Sequence, residues 1–98
     1  MEKRDIRRFN LDFSECRYLG EIYAHIKDEL ELPQWSGKNL DALWDAVTGM
    51  IYTPAEIIIC TKVRRRELRD DIQKIVAIFL EAQQEYNEIS VNVLADKD

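Results

Sequence analysis

The sequence predicts an α/β fold, a small three-stranded parallel sheet packed by helices. Three observations support it. Phe9-Asn10-Leu11-Asp12-Phe13 alternates apolar and polar residues, and Ile57-Ile58-Ile59-Cys60 and Ile89-Ser90-Val91-Asn92-Val93-Leu94 are two further short β-branched runs. Between them lie segments with helical spacing. The resulting order is strand, helices, strand, helix, strand, and helical crossovers between strands imply parallel pairing with right-handed connections.

Each element has its own signal. The alternation at 9–13 is that of a strand with one buried face. Leu19, Ile22, Tyr23, Ile26 and Leu30 recur at helical spacing, giving a first helix from about 19 to 30. Leu32-Pro33 stops it, because the residue before proline avoids the α region. Asn39 is a plausible N-cap for a second helix reaching Thr48, with Asp41 in its first turn where a carboxylate suits the dipole. Gly49 is the expected C-terminal stop. The continuous run 57–60 reads as a strand covered on both faces. A charged stretch, 62–71, leads into a long helix to about Tyr86, with Leu68, Ile72, Ile75, Val76, Phe79 and Ala82 facing inward. Residues 89–94 form the third strand. The whole chain, 1–98, reads as one domain with its core at about 9–94 and polar termini at 1–8 and 95–98.

Composition narrows the function classes. Hydrophobic residues make up 46% and charged residues 34%, a globular balance rather than a disordered one. No apolar run approaches the ~20 residues of a membrane span. The charged start, Met1-Glu2-Lys3-Arg4-Asp5, is not followed by the apolar stretch of a secretory signal, so a cytoplasmic protein is expected. Cys16 and Cys60 are too few for a disulfide framework or a zinc site and read as free thiols. No Gly-rich phosphate loop is present. The net charge of −5 is uneven. Residues 62–74 hold six basic residues against three acidic ones, which leaves 8 basic and 16 acidic elsewhere. So acidic a body favours a cationic partner over nucleic acid.

The second helix carries more than folding requires. With Leu40 at 0° and a step of ~100° per residue, Leu43 and Val47 complete a core stripe. Trp44 falls on its border at about 40°, and Thr48, Asp41 and Asp45 follow at about 80°, 100° and 140°. Two carboxylates and a threonine thus form one patch beside an indole. A solvated acidic face is one reading of it. Against that, like charges at i, i+4 repel without aiding folding, and a second aromatic, Trp35, lies just upstream in a polar loop. Aromatics beside charges are the composition of a binding surface.

Residues 32–49, Leu-Pro-Gln-Trp-Ser-Gly-Lys-Asn-Leu-Asp-Ala-Leu-Trp-Asp-Ala-Val-Thr-Gly, closely resemble the signature of the barstar family, intracellular inhibitors of secreted guanyl-specific ribonucleases. Phe79-Leu80-Glu81-Ala82-Gln83-Gln84-Glu85 looks like that family's last helix, and the element order agrees from about Phe9 to Leu94. The resemblance implies a barstar-like sheet, no enzymatic activity and no cofactor. It also implies a 1:1 complex in which the second helix and its preceding loop plug a cationic nuclease active site. Carried over, the partner-binding set is Trp35, Asn39, Asp41, Trp44, Asp45, Thr48 and Gly49, with Glu81 and nearby Glu85 from the last helix. The residue matching Asp45 places its carboxylate at a substrate phosphate position among Arg, Lys and His groups, and that aspartate is itself a standard illustration of an interface hot spot. Trp35 stands where the family reference has tyrosine, Ser36 replaces a second aromatic, and Met50 replaces a tryptophan. These changes alter the rim of the plug and admit a different toxin nuclease as partner.

Other classes remain to be weighed. A barstar-like module could bind a toxin or protein that is not a ribonuclease. A metal-dependent enzyme could use Asp41/Asp45 and Glu81/Glu85 as oxygen ligands, but no histidine follows a glutamate at the i+3 spacing such sites use. His25, on the first helix, reads as a packing or surface residue. The run Lys62-Val63-Arg64-Arg65-Arg66 could bind an anion or RNA, although Glu67, Asp70 and Asp71 are spaced to pair with it along a helix start.

Overall fold

The computed structural model describes residues 5–32 and 39–94. Strand β1 (Arg7–Asp12) leads through a turn into α1 (Leu19–Leu30), and α2 spans Leu40–Gly49. Strand β2 (Ala55–Cys60) is followed by a single 3-10 turn at Arg66–Leu68, then α3 (Arg69–Glu85) and β3 (Ile89–Leu94). The sheet order is β1-β2-β3 and both pairings are parallel, with Phe9 opposite Ile57 and Ile57 opposite Val91.

This register sorts the side chains by parity, as a period of two must. Phe9, Leu11, Ala55, Ile57, Ile59, Ile89 and Val91 are buried on one face, where the helices lie. Their companions in that core are Ile22, Ile26 and Leu30 of α1, Leu43 and Val47 of α2, and Ile72, Ile75 and Phe79 of α3. The inward residues expected of the long helix are all buried.

The opposite face corrects the reading of β2 as covered on both sides. Glu56, Ile58 and Cys60 are only half-buried. Glu56 accepts hydrogen bonds from Arg8 Nε at 2.8 Å and from Asn92 Nδ2 at 3.3 Å, so a polar row crosses all three strands. Helices thus cover the odd-numbered face, and the even-numbered face is polar and largely solvated. The outer edge of β3 is blunted by α3 and the turn that follows it. Gln83 Oε1 accepts from the Val91 N–H at 2.7 Å, and the Tyr86 carbonyl accepts from the Ile89 N–H.

Helix ends also differ from expectation. Gly49 is not a left-handed stop: α2 ends through Met50 at φ −119°, ψ −18°, whose N–H donates to the Ala46 carbonyl at 2.9 Å. The left-handed cap belongs to Glu31 at the end of α1, at φ 56°, ψ 45°. Its N–H donates to the Asp28 carbonyl and its carboxylate pairs with Arg7 Nη2 at 3.2 Å.

The turn after β1 has a titratable lock. The Ser14 N–H donates to Asp12 Oδ1 at 3.0 Å, and these hydrogen bonds to Ser14 hold the Asp12 carboxyl below its usual range. The Asp12 N–H in turn donates to His25 Nε2, whose ring meets Phe13 edge-on. His25 is therefore a packing residue that ties α1 to the end of β1. A depressed carboxyl pKa stabilises the fold above the unfolded value and loses that contribution as pH falls through the folded one. Asp12→Asn is expected to flatten the acid limb of a plot of melting temperature against pH below about 4. An unchanged slope there would show that the lock contributes nothing.

Candidate functional site

The second helix begins at Asn39, in extended conformation (φ −148°, ψ 171°), whose Oδ1 accepts the Ala42 N–H at 2.8 Å. Asn39 is therefore the expected N-cap, and its amide nitrogen remains as a donor. The buried stripe of α2 is Leu43, Ala46 and Val47, each no more than 1% exposed, while Leu40 is half-buried. This shifts the core side away from Leu40. On a ~100° step the stripe centres near Leu43, and Asp41 and Asp45 fall about 150–170° from it. They are turned almost directly away from the core, further than the Leu40-centred reading placed them.

Asp41 and Asp45 are exposed, and among the described residues neither lies within 4 Å of a cationic group. Trp44 is half-buried against the core cluster, so its indole is anchored on one side and bare on the other. Thr48 Oγ1 donates to the Trp44 carbonyl at 2.7 Å, which commits its proton and leaves the oxygen as an acceptor. Gly49 is exposed, and a Cβ built there would meet nothing within 4 Å. Trp35 and Ser36 lie outside the described residues.

Helix α2 packs along α3, its start beside the start of α3 and its end beside the end of α3. At its start, Asn39, Leu40 and Asp41 border a cleft with Tyr23, Asp71 and Lys74. Burial pushes the Tyr23 phenol up, and the Asp71 charge adds to the shift. At its end, Thr48 and Gly49 border a second cleft with Tyr86 and Asn87. Both glutamates of α3 are exposed. By helical stepping, Glu85 falls on the flank that carries Asp71, Lys74 and half-buried Ile78, which is the α2 side. Glu81 is rotated about 40° further outward.

Asp41 and Asp45 thus share the outward face of α2 with Trp44 between them and the core, and helical stepping puts Glu85 on the α2 flank of α3 with Glu81 at its margin. Tyr86, 44% exposed beside Gly49, belongs to the same rim and escaped the sequence reading. Its signal was an aromatic just beyond the last apolar repeat of α3, with no core position to fill. Among the described residues, no three His, Cys, Asp or Glu side chains come together to hold a metal ion. No described helix is long and apolar enough to cross a membrane.

A curated protein of Bacillus subtilis (strain 168), named "Putative ribonuclease inhibitor YrdF", is 32% identical over 54 residues, or 55% of this chain and 59% of that protein. The match thus spans little more than half of the relative's length. The family model described as Barstar (barnase inhibitor) matches residues 6–96, nearly the whole sequence. The chain belongs to the barstar family.

Proposed function

We propose that this protein is a ribonuclease inhibitor, an immunity protein that fills the active site of a ribonuclease toxin with the acidic face of α2 and has no catalytic activity of its own. The observation that carries the reading is the pair Asp41 and Asp45, exposed, unpaired among the described residues and held on a helix anchored by Leu43, Ala46 and Val47. A ribonuclease active site must attract a polyanion and so concentrates positive charge. Carboxylates on a rigid helix can take the phosphate positions with charge-assisted hydrogen bonds, and little side-chain entropy is lost because the helix is already ordered. Asp45 is the central group in this reading, flanked by Asp41, Trp44 and Thr48. Asn39 offers its amide at one end, and Glu85 and Glu81 widen the negative field. Trp35, outside the described residues, would add an aromatic contact.

The acidic body steers a cationic partner into a 1:1 encounter, fastest at low salt. Met50 and Tyr86, both 44% exposed, flank the end of α2 and set which nuclease surface fits the rim. Neutralising an enzyme that degrades cellular RNA places the protein in the cytoplasm. The test is competition. With a guanyl-specific ribonuclease, guanosine 3′-monophosphate should slow inhibitor association in proportion to the active sites it fills. Association unaffected by saturating nucleotide would place the contact elsewhere and overturn the reading.

Gly49 separates binding from folding. Because a Cβ there meets nothing, Gly49→Ala should leave stability unchanged or raise it by up to about 1 kcal/mol through helix propensity. Inhibition should weaken, since the added methyl stands where a partner's backbone would approach. Unchanged inhibition with raised stability would remove Gly49 from the contact set.

A further inference from the structure

We propose a second docking site on the opposite flank of α3, a groove that takes an acidic peptide segment bearing an apolar anchor. The groove, about 470 Å³, runs between α3 and the ends of β2 and β3. Its floor is apolar, with Ile72, Val76, Ala77, Leu80 and Val93, and its rim carries Lys62 and Arg69. Leu80 and Val93 are 37% and 38% exposed, an apolar concentration with no cover among the described residues.

Charge identifies the occupant. The groove adjoins the basic run, and the pairing expected within that run does not form. Among the described residues, its one ion pair within 4 Å joins Arg64 to Glu15 at 3.8 Å, between two largely exposed side chains. None of Glu67, Asp70 and Asp71 reaches a cation of the run within that distance. Among the described residues Arg69 and Lys62 are in no ion pair within 4 Å, although the Lys62 charge is felt by the Asp12 carboxylate, so both can meet external carboxylates on a chain that is otherwise strongly acidic. A long polyanion would be repelled by the acidic body, and the groove has no aromatic side chain on which bases could stack. A short acidic segment places its charge only over the cations and an apolar side chain on the floor. Strand addition along β3 is obstructed, because the Ile89 and Val91 N–H groups are already taken by Tyr86 and Gln83. The occupant therefore seats through side chains.

Stepping around α3 from Phe79, Arg69, Gln73, Ala77 and Leu80 fall on one flank and Asp71, Ile78 and Glu85 on the other. The groove and the acidic face of α2 can thus be occupied together, and the groove stands whether or not the inhibitor reading does. The test is fluorescence anisotropy with a labelled Glu-Asp-Leu-Leu-Asp-Glu peptide, alongside its Leu-to-Ser counterpart and a single-stranded RNA of equal charge. The leucine peptide should bind, and loss of two surface ion pairs in a Lys62→Gln/Arg69→Gln variant should weaken it about fivefold. Ala77→Glu, at an exposed helix position, should abolish binding with the circular dichroism spectrum intact, whereas Asp45→Ala should leave it unchanged. The proposal fails if the serine peptide or the RNA binds as well as the leucine peptide, or if no binding appears up to about 1 mM. It also fails if Ala77→Glu abolishes only self-association, which would make a second copy the occupant.

Discussion

Asp45→Ala is expected to weaken inhibition of a ribonuclease by about a hundredfold to a few thousandfold while leaving the melting temperature within a degree or two of wild type. The two halves of this result have different causes. Asp45 is exposed, almost opposite the buried stripe of α2, and forms no ion pair among the described residues, so its loss costs the fold little. In a complex it would be enclosed among cations, and removing one partner of an enclosed pair leaves the other charges uncompensated, at about 3–5 kcal/mol. Most of that loss should appear as faster dissociation, because long-range attraction from the rest of the acidic body survives the mutation. Stopped-flow association and dissociation rates separate the two. A change confined to the association rate would make Asp45 a steering charge rather than a seated one.

Leu43→Ala should behave in the opposite way. Leu43 is fully buried at the centre of the α2 stripe, between Ala46 and Val47. Truncating a buried leucine costs about 2–5 kcal/mol, because the cavity left behind only partly collapses. In a domain of this size that is a fall of more than about 10 °C in melting temperature. The acidic face stays chemically intact, so below the new melting point inhibition should be lost far less than in Asp45→Ala. Urea unfolding monitored by tryptophan fluorescence checks the first part, since Trp44 lies against the same core. A loss below about 1 kcal/mol would mean that α2 is not anchored through Leu43.

Much of this was legible in the sequence wherever one physical signal dominated. The bounds of α1 and β3 follow from apolar spacing, and Asn39 is the cap because an amide oxygen was needed where α2 starts. Legibility failed where the deciding partner was distant in sequence. Ala46 carries a weak hydrophobic signal, yet tertiary packing buries it completely while leaving Leu40 half-buried. The run 57–60 looked doubly covered, yet whether a second layer exists depends on the polar row Arg8, Glu56 and Asn92, which belongs to three strands. The basic run misled for a local reason. Regular α-helix starts only at Arg69, after a 3-10 turn, so the i, i+4 geometry that would pair Arg64–Arg66 with Glu67, Asp70 and Asp71 is not established there. For the site, helical spacing placed Asp41, Asp45 and Thr48 on one face. The nearness of Tyr86 to the end of α2 depends on helix packing and could not be read from spacing.

The most direct measurement is a titration of a guanyl-specific ribonuclease, following RNA cleavage, with wild-type protein and with the nearly isosteric Asp41→Asn/Asp45→Asn double variant. The expected result is a sharp endpoint at one inhibitor per enzyme for the wild type and a shallow curve, or none, for the double variant. Full cleavage at a large excess of wild-type protein across several such ribonucleases, or equal endpoints for the two proteins, would contradict a plug built on the acidic face of α2.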